Sequence, residues 1–259
     1  MNSKVWLIGG TSDSATIANI LAESKISLII SVTTNSAQTL YRSGTEIIVG
    51  CMDKIAMRSF CEQNAIRAVI DASHPYATEV SYQAIAVTTQ LKIPYLRYER
   101  ANYQGLASKK HHTEVIELDS FDCLLAGEYL TNQRVLLTVG CKALPKFQSW
   151  QSQATLFARI LPKIKSLETA IAAGFTSDRL IAIRPPLSVA TETALWQQWQ
   201  ISLVITKASG KTGGESLKRQ VAANLGIPLI VIARPQISYP KQTSEINEVL
   251  GFCRYIHAN

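Results

Sequence analysis

Short apolar runs rich in β-branched residues recur along the whole chain, and stretches with helical periodicity separate them. A run of Val, Ile and Leu without polar alternation buries both of its faces, as happens when crossover helices cover both sides of a parallel sheet. The alternation starts at once. "KVWLIG" reads as a first strand, "DSATIANILAES" as a helix with Ile17, Ile20 and Leu21 on one face, and "ISLIISV" as a second strand. "TEIIVG", "IRAVIDA" and "IPYLRY" supply three more strands, with "DKIAMRSFCEQN" and "ATEVSYQAIAVTTQL" as the helices between them. One α/β unit is complete by about residue 100.

Residues 99–110 are polar and turn-rich, and "TEVIEL" and "SFDCLLAGEYL" after them read as a connection. A second alternating series follows, from "RVLLTVG", "KALPKFQSW" and "TLFARIL" through "SLETAIAAG", "RLIAIR", "VATETALWQQW" and "SLVIT" to "GGESLKRQVAANL" and "PLIVIA". The helical "TSEINEVLGFCRYI" closes it. The expected fold is α/β: two Rossmann-like three-layer domains with mostly parallel sheets, spanning residues 1–131 and 132–259, with a cleft between them.

A chain of 259 residues can bury one large core or two small ones. With 47% hydrophobic and 17% charged residues it belongs with globular proteins, not disordered or fibrous ones. The longest apolar stretches fall far short of the roughly 20 residues that span a bilayer, and the opening residues break too early for a signal peptide. A cytoplasmic protein with no membrane partner is expected. The five cysteines are scattered and never form C-x-x-C, so reduced and mostly buried thiols are expected. His111 and His112 sit in a polar stretch without metal-ligand spacing, and no metal site is expected. A net charge of +7 favours an anionic partner. The basic residues are dispersed and not interleaved with aromatics, which argues against nucleic acid.

"GGTSDSA" follows the first strand and opens the first helix, where a dinucleotide fold places its phosphate loop. Gly9 and Gly10 admit a close backbone approach, Thr11, Ser12 and Ser14 add hydroxyls, and the helix N-terminus favours an anion. The glycines depart from G-x-G-x-x-G, so a plain turn capped by Ser12 or Asp13 is the alternative. No Asp or Glu occurs between Glu23 and Glu46, so the end of the second strand has no carboxylate for a ribose 2′-hydroxyl. Thr33, Thr34, Ser36 and Arg42 suit a 2′-phosphate instead. NADPH is the expected cofactor, with NADH second.

"VIDASHPYA" ends the fourth strand with Asp71, Ser73, His74, Pro75 and Tyr76 at its carboxyl edge. There His74 can move a proton, or merely hydrogen-bond a carbonyl while Asp71 caps. In "RYER", Arg97, Glu99 and Arg100 are either anion clamps or a surface ion pair. "ITKASGKTGGES" is rich in glycine and hydroxyls, but Ile205 stands where a Walker A loop needs glycine. What remains is an anion-binding loop with Lys207, or a flexible surface turn.

"GGTSDSATIANIL", "VIDASHPYATEVS", "IPYLRYER", "LLTVG", "ARILP" and "ITKASGKTGGESLKRQVAANLGIPLIVIARP", in this order, resemble the precorrin-6A reductase family of corrin biosynthesis. The resemblance covers nearly the whole chain. It implies an NAD(P)H-dependent reductase that passes a hydride to one double bond of a tetrapyrrole macrocycle, with cofactor and substrate in the cleft. It assigns Gly9, Gly10, Thr11 and Ser12 to the pyrophosphate, and Asp71, Ser73, His74 and Pro75 to the cleft wall. Arg97 and Arg100 follow the family's arginine motif, and Thr138, Gly140, Lys207, Ser209, Gly210, Thr212 and Gly213 form the opposing wall. Tyr76, Ala101 and Ala208 depart from the family pattern, where Phe, Pro and an acidic residue are usual.

The basic chain suits a polycarboxylate substrate, and Arg97, Arg100, Arg159, Lys207 and Lys211 are the candidates for its acidic arms. Pro75 and Tyr76 would line the substrate. His74 is the candidate proton donor, with Tyr76 or a water as alternatives. Other corrin-pathway enzymes are candidate partners. A short-chain dehydrogenase needs Y-x-x-x-K, and no tyrosine has lysine four positions later. A non-catalytic nucleotide- or tetrapyrrole-binding module remains the alternative function.

Overall fold

The computed structural model describes residues 4–101, 114–210 and 213–258. In chain order the strands are β1 (Lys4–Ile8), β2 (Leu28–Val32), β3 (Ile47–Val49), β4 (Ile66–Asp71), β5 (Tyr95–Tyr98), β6 (Val115–Leu118), β7 (Arg134–Leu137), β8 (Thr155–Ile160), β9 (Leu180–Ala182), β10 (Leu203–Lys207), β11 (Leu229–Ile232) and β12 (Gln242–Thr243). The helices are α1 (Ser12–Glu23), α2 (Asn35–Gln38), α3 (Lys54–Gln63), α4 (Thr78–Leu91), α5 (Phe121–Ala126), α6 (Ile164–Ala172), α7 (Val189–Gln198), α8 (Glu215–Leu225) and α9 (Ile246–Ala258). None is long and apolar enough to cross a membrane among the described residues.

Two six-stranded sheets result, ordered β3-β2-β1-β4-β5-β12 and β9-β8-β7-β10-β11-β6. Every strand pair is parallel. Burial explains the continuous apolar runs, because each sheet is covered on both faces. In β1, Val5 and Leu7 meet Ile17 and Leu21 of α1 and Val249 of α9, while Trp6 and Ile8 meet Met57 and Phe60 of α3 and Val87 of α4. In the second sheet, Leu137, Ile205 and Ile230 face Phe147 and Ala170, while Leu136, Val204 and Val231 face Trp196 of α7 and Val221 of α8. Polar residues cap several of the helices: Asp53 accepts the Ala56 N–H at 2.8 Å and Ser188 that of Thr191 at 3.1 Å.

The chain divides into two compact units, Met1–Ala101 with Gln236–Asn259, and Asn102–Pro235. The expected boundary near residue 131 therefore shifts. β6, read as connection, pairs with β11 in the second sheet, and the closing helix α9 returns to the first unit with β12. A strand's own residues encode burial and period but not which sheet edge it joins. "KALPKFQSW" lies in a 3-10 helix, Cys141–Ser152, with Pro145 inside it, where an α-helix would lose a backbone donor. Cys61 and Cys253 are buried, but Cys51 and Cys123 are exposed, contrary to the mostly buried set expected.

Candidate functional site

In the first unit β1 is flanked by β2 on one side and β4 on the other, so the chain reverses its order across the sheet between β1 and β4. Open α/β sheets bind ligands at the carboxyl ends of strands at such a switch point. Two of the expected loops meet there. Thr11 Oγ1, after β1, donates to the Ala72 carbonyl, after β4, at 2.9 Å. Thr11 also caps α1: its Oγ1 accepts the Ser14 N–H at 3.1 Å, and Ser14 Oγ accepts the Thr11 N–H at 3.0 Å. The N–H groups of Ser12 and Asp13, in the first turn of α1, lack intrahelical acceptors. Gly10 has φ +101°, a region that side chains disfavour, and its missing Cβ would meet nothing nearer than Ala37 at 4.0 Å. A Cβ on Gly9 would collide with the Tyr41 hydroxyl. Backbone amides and open space at Gly10 fit a phosphate.

Asp13 places a carboxylate in the same turn, and Arg100 meets it at 3.0 Å. Arg100 thus neutralises an acid beside the glycine loop. Thr33 and Thr34 follow β2, and Thr34 and Ser36 share a hydrogen bond of 3.1 Å. Arg42 is exposed and meets Glu23 at 3.2 Å. An ion pair so exposed is worth under about 1 kcal/mol, so Arg42 can leave it for a phosphate.

Asp71 and Arg97 have a different placement from the one expected. Arg97 is 1% exposed and Asp71 0%. The Asp71 carboxylate accepts from the Ser73 N–H at 3.0 Å, Arg97 Nη1 at 2.9 Å, Ser81 Oγ at 2.6 Å and the Tyr95 hydroxyl at 2.7 Å. Arg97 also donates to Ser73 Oγ at 3.1 Å, and its Nε and Nη2 reach Glu99 Oε2 at 3.1 and 2.9 Å. The Tyr239 ring lies 5.3 Å from the guanidinium. Burial pulls the Arg97 pKa down, but Asp71, Tyr239 and Glu99 hold it above its ordinary value. Burial, with the Asp71 charge, pushes the Tyr95 phenol far up, so it stays a donor. Arg97 is a strut for the turn at Ser73, not a clamp open to a substrate carboxylate.

His74 is exposed while Pro75 is buried and Tyr76 is half-buried. His74 Nδ1 accepts the Tyr76 N–H at 3.3 Å, and its carbonyl accepts that of Ala77 at 2.7 Å. A neutral ring held this way carries its proton on Nε2.

In the second unit the switch point falls between β7 and β10. Thr138 Oγ1, after β7, donates to the Ile205 carbonyl of β10 at 3.0 Å, and Gly140 has φ +81°. Lys207 ends β10 half-buried, and burial pulls its pKa to about 8, with Cys141 raising it and Lys142 lowering it. The glycine loop that follows is braced from within. The Gly210 N–H donates to the buried Glu215 carboxylate at 2.9 Å, the Gly213 N–H to the Gly210 carbonyl at 3.2 Å, and Ser209 Oγ to the Gly213 carbonyl at 3.0 Å. An internal carboxylate thus holds the amide expected to meet a phosphate. Arg159 is paired with the buried Glu192, whose other oxygen accepts Trp196 Nε1 at 3.0 Å, so it too is an internal strut. Lys211 and Thr212 lie outside the described residues, as do His111 and His112. Among the described residues no group of three metal-ligating side chains is present.

Tyr41, Ser81, Tyr95, Tyr239 and Glu215 were missed by the sequence reading. Only Glu215 carried a signal, as an acid at the first turn of a glycine-led helix. The others reach their partners across long separations in sequence.

A family model described as precorrin-6x reductase CbiJ/CobK matches residues 4–254. The chain belongs to this family. It is an oxidoreductase, as the motif resemblance implied. Over 252 residues the reductase is 44% identical to a cobalt-precorrin-6A reductase of Synechocystis sp., covering 96% of this chain and 95% of the relative. A cobalt-precorrin-6A reductase of Priestia megaterium is 32% identical over 95% of this chain and 96% of its own length. The solved structure of CobK precorrin-6A reductase matches with a TM-score of 0.80 over 98% of this chain and 97% of that one, at 21% identity, so the fold is shared.

Proposed function

We propose that this reductase acts in cobalamin biosynthesis by reducing one double bond of cobalt-precorrin-6A with NADPH. The bridge from Thr11 to Ala72 carries the reading, because it joins a glycine-led helix start and a histidine-bearing turn at one sheet edge. The names of the relatives with the higher identities support the cobalt-bearing form of the substrate. The lack of a carboxylate after β2 supports NADPH over NADH.

Reduced nicotinamide, when bound, supplies a hydride, and one proton from the protein or solvent completes the reduction. The amides of Gly10, Ser12 and Asp13 bind the pyrophosphate, and Arg100 offsets the Asp13 charge that would repel it. Thr33, Thr34 and Arg42 receive the 2′-phosphate. Asp71 and Arg97 hold the Ser73 turn and so position His74, which supplies the proton from its imidazolium form. Lys207, with Thr138 and Gly140 at the edge of the second sheet, meets the macrocycle's carboxylate arms. Its charge is present below about pH 8.

The test pairs NADPH and NADH in turn with cobalt-precorrin-6A and its metal-free counterpart, following nicotinamide absorbance together with the tetrapyrrole spectrum. Turnover should be fastest with NADPH and the cobalt form. Gly10→Asp should abolish NADPH binding by calorimetry, whereas Gly10→Ala, with backbone strain of roughly 1–2 kcal/mol and a methyl group in the open space but no charge, should weaken it without abolishing it. Unchanged affinity in Gly10→Asp would remove the loop from the site.

A further inference from the structure

Tyr41 follows α2 and stands 31 residues from the glycine loop, yet its hydroxyl sits on that loop. The Gly10 N–H donates to the Tyr41 oxygen at 2.7 Å, and the same oxygen lies 2.7 Å from Ser14 Oγ. The direction of the second bond follows from its neighbour. Ser14 Oγ donates its one proton to the Thr11 carbonyl at 2.7 Å, so the phenol must donate to Ser14. The Tyr41 oxygen is then left as the acceptor for Gly10. The ring is half-buried against the apolar cluster of β1, β2 and α1, which holds the hydroxyl in place.

An amide N–H serves one strong acceptor at a time. Gly10 is exposed, a Cβ there would meet nothing nearer than 4.0 Å, and its N–H is one a pyrophosphate oxygen would seek. We propose that Tyr41 is a residue of the nucleotide site that acts by competition: its phenol holds the Gly10 amide, and the pyrophosphate displaces it. The phenol is a neutral acceptor and a phosphate oxygen a charged one, so the exchange favours the nucleotide. The affinity is nevertheless lowered by the bonds that must break first. Tyr41 therefore sets how tightly the nucleotide is held, and so how readily the oxidised form leaves. The inference rests on the nucleotide reading given above.

Tyr41→Phe separates competition from the other roles, because it keeps the ring and deletes only the oxygen. Calorimetry of the full chain with NADPH should show binding about 2- to 10-fold tighter, the range a single lost competing hydrogen bond allows. Hydrogen exchange at the Gly10 amide, measured without nucleotide, should speed up in the same variant. Gly10→Asp is measured beside it. If Gly10→Asp abolishes binding and Tyr41→Phe binds NADPH no tighter than wild type, the competition is refuted while the nucleotide site stands; weaker binding would make the phenol a direct ligand. If Gly10→Asp binds normally, the nucleotide reading falls and takes this inference with it.

Discussion

Replacing Lys218 by Met should stabilise the second unit at neutral pH, although it removes a charged side chain and a hydrogen bond. Lys218 projects from α8 and is 4% exposed. Its Nζ donates to the Gly214 carbonyl at 3.0 Å. Burial, reinforced by Arg159, lowers its pKa from 10.5 to about 8, and Glu192 and Glu215 offset only part of that. At 1.36 kcal/mol per pKa unit, holding this ammonium inside costs about 3 kcal/mol wherever the unfolded lysine is charged and the folded one must match it. Methionine fills the same stem without the charge. It leaves the Gly214 carbonyl without that donor, a loss of about 1–2 kcal/mol, so the net gain at pH 7 is about 1–2 kcal/mol.

The pH dependence gives the sharper sign. A lysine with a depressed folded pKa contributes stability that is full above its unfolded pKa and lost as pH falls through the folded one. The second unit of the wild type should therefore gain stability from about pH 8 to about pH 10, and Lys218→Met should show a shallower rise, with Lys207 supplying what is left. Urea unfolding with 5-fluorotryptophan resolves the units, because Trp6 lies in the first and Trp150, Trp196 and Trp199 in the second. In the first unit burial raises the Cys61 and Cys253 thiols to about 11 and about 12, so its stability should fall as pH rises above about 9. A wild-type second unit that does not gain between pH 8 and 10, or a Lys218→Met variant less stable at pH 7, would refute the reasoning. Glu192 and Glu215 would then outweigh burial.

Two further outcomes bear on the candidate site. Asp71→Asn takes the charge from a buried pair and should cost the first unit about 3 kcal/mol, read at the Trp6 resonance; a loss below about 0.5 kcal/mol would show that the network does not hold the Ser73 turn. Lys207 carries its charge only below about pH 8, so KM for the polycarboxylate substrate should rise above that pH in the wild type. Lys207→Arg keeps the charge and should remove the rise; a KM profile identical in both would take Lys207 out of substrate binding.

The amino-acid sequence alone determined most of the elements and their order, though α2 and β12 were not read from it. Strands such as "LIISV" and "LIVI" are apolar on both faces, and the helices between them show a 3.6-residue period, because both are local consequences of double-sided burial. The glycine loop after β1 and the turn after β4 were legible for the same reason, since a strand end followed by a helix start is a local signature. Tertiary structure decided which charges remain for a ligand. "RYER" reads alike whether Arg97 faces solvent or Asp71, and only the pairing of β4 with β5 brings them within 2.9 Å. It likewise set Tyr41 on Gly10, and β6 and β12 on the sheets they complete. A side chain's chemistry is written in its identity, but its partner is chosen by residues tens of positions away that the fold alone brings near.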